Sequence, residues 1–183
     1  PAAFGAPSHP LLIAWKKDGQ AIGLKARAID STIKPKYFFC NGSFVAENLF
    51  LQDEIEFEKD APRLVYLCEG EFDALAGHAQ GLNIVATAGP MKEGQARILK
   101  QRIKAKTVCI IADNDNKADT ADKDQAGNKE AAAAREILHK AGINVLRVSL
   151  PAEAGDLDEY FNAQGHTRAD FDALISEPAS VTE

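Results

Sequence analysis

LVYLCEGEFDALAGHAQG, residues Leu64 to Gly81, is the stretch on which the fold turns, and EGEFD (Glu69 to Asp73) is its centre. Arg63–Cys68 is a short apolar run, too brief for a helix and rich in Val, Tyr and Leu, which predicts a buried strand. Phe72, Leu75, Ala76 and Ala79 then recur at i, i+3, i+4 and i+7. That stripe predicts an amphipathic helix over Glu71–Gln80 with those four residues inward and Gly81 ending it. Glu69 and Gly70 therefore fall where a strand stops and a helix begins. Ligands of open α/β sheets bind at that carboxyl edge. A carboxylate there, with Asp73 one turn on, suits chemistry better than packing.

Downstream, strands and helices keep alternating. Asn83–Thr87 predicts a strand, Met91–Lys104 a helix with Ile98, Leu99 and Ile103 inward, and Thr107–Ala112 (TVCIIA) a strand. Asn128–Ala141 predicts a helix closed by Gly142, its stripe Ala134, Ile137, Leu138 and Ala141, and Ile143–Leu150 a further strand. Short connections between such units imply an α/β fold, an about four-stranded parallel sheet flanked by helices, over residues 61–165. Phe161–Ile175 predicts one or two short helices, so 166–183 is a C-terminal helix and tail.

Upstream, Leu11–Lys16 and Ala21–Ile29 flank Lys17-Asp18-Gly19, a β-hairpin with Asp-Gly turn chemistry. Lys34–Phe39 is an extended piece, because Pro35 lacks a donor and biases Lys34 away from helix. Residues 11–60 read as a small N-terminal mixed β lobe, and the Pro, Ala and Gly of 1–10 as a tail or linker.

The 183 residues are 45% hydrophobic, which suits one globular domain with a smaller lobe. No apolar run reaches the roughly 18 residues of a membrane span, and nothing at the start reads as a signal peptide. Cys40, Cys68 and Cys109 are far apart, the last two in strand-like runs, which predicts reduced buried thiols and a cytoplasmic protein without a paired-cysteine zinc site. Net charge is −6, which alone argues mildly against nucleic acid. The charge is segregated, however: Leu11–Cys40 holds six Lys/Arg against two Asp, and Met91–Lys106 six against one Glu. A basic face beside an acidic site is compatible with that distribution.

Three of the four strands of the α/β body lead into carboxylates. The first delivers Glu69 with Asp73, the third Asp113 and Asp115, and the fourth, through VLRVSLPAEAGDLDEYF, Asp156 and Asp158. Parallel strands present their carboxyl ends on one edge, so these six acids are expected to converge. Crowded carboxylates raise one another's pKa unless a cation intervenes, and hard oxygen ligands suit Mg²⁺ or Mn²⁺. Two such ions can activate an attacking oxygen and stabilise a leaving phosphate. One Asp-x-Asp after a strand is more often a turn or cap; three acidic strand ends together favour the metal site. A phosphoaspartate receiver also gathers acids at strand ends, but in a different strand order.

EGEFD after one strand, Asp113-Asn114-Asp115 after another and the closing GDLD resemble the toprim domain. That domain is shared by DnaG-type primases, type IA and II topoisomerases, OLD nucleases and RecR proteins. The resemblance implies that Glu69, Asp113 and Asp115 are catalytic. It also implies that Glu69, Asp73, Asp113, Asp115, Asp156 and Asp158 hold two or more divalent ions. AIGLKARAIDSTIKPKYFFCNGS, residues 21–43, resembles the N-terminal lobe of DnaG-type RNA polymerase domains. Arg27, Lys34 and Lys36 would then line a groove for template and nucleotides, with Tyr37 stacking or packing beside them. Basic side chains neutralise phosphates without reading sequence, and an aromatic beside them can stack on a base.

The chain departs from the pattern where residues 116–125 separate Asp113-Asn114-Asp115 from Ala126-Gly127, a pairing that primases keep unbroken. Asp122 and Asp124 in DKDQAG offer a competing match. Asp113 and Asp115 are preferred because they follow the strand directly, whereas Asp122 and Asp124 suit a helix cap. The resemblance thus implies a DNA primase catalytic core of phage, plasmid or excised origin, a nucleotidyltransferase making RNA primers on single-stranded DNA during replication. Its partners would be template, nucleoside triphosphates and a replicative helicase. The alternatives are a toprim-type metal-dependent nuclease, or a non-catalytic module that binds single-stranded DNA or a helicase.

Overall fold

The structure, a computed structural model, describes residues 8–39, 47–113 and 126–176, with the side chains of 126–128 and 176 outside the description. The N-terminal lobe is a three-stranded antiparallel sheet of β1 (Leu11–Lys17), β2 (Gln20–Arg27) and β3 (Tyr37–Phe39), in the order β1-β2-β3. Asp18 and Gly19 turn the hairpin with φ of 53° and 74°, the left-handed pair that matches strand twist. Ile13, Lys25 and Phe39 stand in one cross-strand row, and Leu11, Arg27 and Tyr37 in the next on the same face. That face turns toward the α/β body, where Ile13 and Trp15 enter the core.

The body carries β4 (Leu64–Cys68), β5 (Ile84–Ala86), β6 (Thr107–Ile111) and β7 (Asn144–Val148), all parallel, in the order β5-β4-β6-β7. Alternation divides the side chains between two apolar layers. Val65, Leu67, Val108, Ile110 and Val145 face Leu99 and Leu138, whereas Tyr66, Cys68, Cys109, Ile111 and Val148 face Ala74, Leu157 and Phe171. The helices that supply those layers are α1 (Glu71–Ala79), α2 (Glu93–Arg97), α3 (Ala126–Lys140) and α4 (Arg168–Ser176). The expected parallel sheet is present, and the lobe beside it is purely antiparallel among the described residues.

Two helices differ from expectation. Met91–Lys104 is not one α-helix: after α2 the chain runs as a π-helical segment, Ile98–Ile103, and stops at Lys104 in the left-handed region. Leu99 and Ile103 are buried as expected, and Ile98 partly. In α1 the inward face is rotated. Glu71, Asp73, Ala74, Ala76 and Gly77 are buried, whereas Leu75 is 41% exposed and Ala79 is exposed. The acids can turn inward because the lobe and the 150s loop supply their partners. At Gly77 an added Cβ would meet Ile84 Cδ1 at 2.9 Å, so α1 approaches β5 as closely as a glycine permits.

Residues 47–57 run along the outer edge of β5. Phe50 bridges Ala86 antiparallel, Leu49 is fully buried, and the Asn83 amide pairs with both backbone groups of Glu56, at 2.8 and 3.3 Å.

Candidate active site

β4 ends at Cys68 and β6 at Ile111, so Glu69 and Asp113 leave neighbouring parallel strands at the same edge. Both are exposed, and both line one cleft of about 360 Å³ with Thr87, Gly89, Met91 and Ala131. The floor of that cleft is tied down by backbone. The Ala88 amide donates to the Glu69 carbonyl at 2.9 Å, and the Thr87 amide to the Cys68 carbonyl at 3.2 Å. Gln95, 1% exposed, donates through Nε2 to the carbonyls of Asn48 and Thr87 and accepts the Lys92 amide through Oε1. A buried amide satisfied at three points fixes a loop that has little regular structure of its own.

Asp73 is 7% exposed, and its Oδ1 accepts the Asp158 amide at 3.0 Å. Its carboxyl folds back on the turn so closely that a Cβ on Gly70 would press on Oδ2 and the carboxyl would have to shift. Burial pushes the Asp73 carboxyl up to about 6; the Asp158 amide opposes the rise, and the charges of Asp156 and Asp158 add to it. Asp156 Oδ1 accepts the Glu159 amide at 2.7 Å and Asp158 Oδ1 accepts the Asn162 side-chain amide at 2.7 Å, holding both at the start of a π-helical turn, Glu159–Ala163.

The Cys68 thiol, at the end of β4, senses two of these acids and Glu71. Burial raises its pKa first, and the negative charges of Asp73, Asp113 and Glu71 raise it further. Five of the six sequence-derived acids thus lie within one neighbourhood. Glu69 and Asp113 share the cleft, and Asp73, Asp156 and Asp158 adjoin it through the turn. Asp115 and the competing Asp122 and Asp124 lie outside the described residues. Among the described residues, no three acidic, histidine or thiol side chains close on one point as a finished metal shell. The donor set is nevertheless one of carboxylates, gathered around an Asp73 whose own pKa is raised. That chemistry fits a hard divalent cation.

The basic lobe docks on the same turn. Arg27 lies 3.9 Å over the Phe72 ring and 5.7 Å from the centroid of Tyr37, and Lys36 lies 5.7 Å from Tyr37. Desolvation raises the Tyr37 hydroxyl, Arg27 lowers it, and Glu71 and Asp73 raise it again, so the aromatic stands between the cations and the acids. Lys34 and Lys36 are exposed. Sequence reasoning missed Lys25, which forms a buried ion pair with Glu71 at 2.8 Å. A signal existed: a lysine at an inward register position of β2 requires a partner.

A family model described as Toprim-like matches residues 66–161. A DNA primase of Aquifex aeolicus (strain VF5) is 34% identical over 153 residues, covering 80% of this chain and 28% of that protein. The crystal structure of Aquifex aeolicus primase, comprising zinc-binding and RNA polymerase domains, superposes with a TM-score of 0.67 at 30% identity, covering 90% of this chain and 39% of that one. A DnaG primase catalytic domain bound to single-stranded DNA superposes with a TM-score of 0.66 at 22% identity, covering 90% of this chain and 50% of that one, a likeness of fold. The chain therefore spans no more than half the length of these relatives.

Proposed function

The chain belongs to the Toprim-like family, as a toprim domain of DnaG type, and from that premise we propose that it is the catalytic core of a DNA primase. The reaction is template-directed nucleotidyl transfer, with a 3′-hydroxyl attacking the α-phosphate of a nucleoside triphosphate and pyrophosphate leaving. The observation that carries this reading is the shared cleft of Glu69 and Asp113 beside a basic lobe. A nuclease would use the same acids, and the similarity to primases extends across the lobe as well as the body, covering 90% of the chain.

In this reading Glu69, Asp73, Asp113, Asp115, Asp156 and Asp158 hold Mg²⁺ or Mn²⁺. Such ions, when bound, lower the pKa of the attacking hydroxyl and offset the charge of the triphosphate. Glu69 and Asp113, exposed at the strand ends, meet the reacting phosphate. Asp73, held by the Asp158 amide, orients the turn that carries Glu69. Arg27, Lys34 and Lys36 take the phosphates of template and nucleotide, and Tyr37 offers a face to a base. Pre-organised placement and charge stabilisation supply most of the rate.

The test is primer synthesis on single-stranded DNA with nucleoside triphosphates and Mg²⁺. Glu69→Gln and Asp113→Asn should each lower the rate about 10²-fold or more while leaving the melting curve near wild type, because both side chains are exposed. DNA degradation without nucleoside triphosphates would favour a nuclease. DNA binding without either activity would favour a recruiting module.

A further inference from the structure

β2 and α1 meet through one buried ion pair. Lys25 Nζ lies 2.8 and 2.9 Å from the two Glu71 carboxylate oxygens, and the side chains are 7% and 2% exposed. The same ammonium sits 4.0 Å over the Tyr37 ring and 5.3 Å from the centroid of Phe39. Two residues along the same face of β2, Arg27 covers Phe72. Alternate residues of one strand therefore grip consecutive residues of the first turn of α1. The gripped residues are the two between Gly70 and Asp73.

Stability alone does not account for such a pair, since well-packed apolar residues of similar volume often serve a fold as well or better. Glu71 also adds a negative charge to a neighbourhood that already holds Asp73 and Asp113. An unpaired carboxylate there would be costly, and Lys25 neutralises it locally. What a charged, two-point contact supplies beyond packing is a fixed register between the strand and the turn.

We propose that the Lys25–Glu71 pair is a positioning latch, fixing the turn that carries Glu69 and Asp73 at one spacing from the basic strand that carries Arg27. Neither Lys25 nor Glu71 is a catalytic residue. The inference rests on the primase reading for its consequence in activity, and on geometry alone for its consequence in the metal-free turn.

The test compares wild type with Lys25→Met/Glu71→Leu, which removes both charges at similar volume. Arg102→Leu is the control, because Arg102 ties the far side of the lobe to the body through Asp18 at 2.9 Å and Asp53 at 2.6 Å. Folding is checked by circular dichroism and by the fluorescence of Trp15, the single tryptophan. The readouts are amide exchange across residues 69–74 without metal, Mn²⁺ affinity by paramagnetic resonance titration, and kcat and KM for primer synthesis.

The folded double variant should exchange faster at 69–74, bind Mn²⁺ about tenfold more weakly and lose about tenfold in kcat, with the template KM within about twofold. Arg102→Leu should lower the melting temperature and move none of these. If the double variant does not fold, Lys25→Gln/Glu71→Gln, which also removes both charges but keeps hydrogen-bonding groups at both positions, takes its place with the same expectations. A folded variant equal to wild type in exchange, Mn²⁺ affinity and kcat overturns the latch and leaves the primase reading standing. A wild-type chain that neither binds Mn²⁺ nor makes primer overturns the primase reading and the latch with it.

Discussion

Burial and the charges of Asp156 and Asp158 leave the Asp73 carboxyl at about 6, against 3.8 for an ordinary Asp. A carboxyl whose folded pKa is raised binds more protons folded than unfolded between those two values. Stability of the metal-free protein therefore falls as pH rises from about 4 to about 6, and the penalty is complete above that window. Asp73→Asn keeps the oxygen that accepts the Asp158 amide and removes the penalty. It should stabilise the metal-free protein by about 3 kcal/mol at pH 7.5 and by little below pH 4, as read from urea melts at both pH values. The same substitution should weaken Mn²⁺ binding. Wild-type affinity for Mn²⁺ should itself decline as pH falls through about 6, when a proton competes for the carboxylate. A flat binding profile from pH 7.5 to 5 would remove Asp73 from the ligand set.

Helix α1 shows how far a sequence pattern carries and where it stops. The strands β4 and β6 were legible because apolar runs bounded by EGEFD and DND leave few other readings, and the hairpin was legible from Asp18-Gly19. The apolar stripe of α1 was also present, but the helix buries only part of it: Ala76 is covered and Phe72 half-covered, whereas Leu75 and Ala79 face outward and Glu71 and Asp73 inward. A periodicity argument assumes that the greasiest face is the covered one. That assumption fails where distant elements bring a buried lysine and a free backbone amide to the acids. Lys25 and Asp158 are remote from α1 in sequence, so their partnership is a product of tertiary structure. The π-helical switch at Ile98 was likewise invisible, since Ile98, Leu99 and Ile103 fit an α-helix equally well. The inner face of α1 makes a sharp prediction at Gly77. Gly77→Ala would press on Ile84, Leu157 and Leu82 and should cost about 1–3 kcal/mol, measured by thermal or denaturant unfolding.

At the scale of the molecule, the lobe is fastened to the body on two sides, by Lys25–Glu71 near the acids and by Arg102 with Asp18 and Asp53 away from them. The two fastenings should differ in worth. Lys25→Met alone strands a buried carboxylate and should cost about 3–5 kcal/mol, whereas Arg102→Leu breaks a partly exposed network and should cost about 1 kcal/mol. Parallel urea titrations of the two single variants would show the ranking, and equal midpoints would contradict it.

The strip at residues 47–57 has a practical corollary for anyone dividing this chain. It shields the outer rim of β5, where backbone donors and acceptors would otherwise face water in a row. A fragment starting after residue 60 would bare that rim and should self-associate on a sizing column. A fragment starting at residue 47 keeps Phe50 and the Asn83–Glu56 clasp over that rim but loses Trp15 and the Lys25 partner of Glu71, so it should self-associate less than the shorter fragment yet melt well below the whole chain.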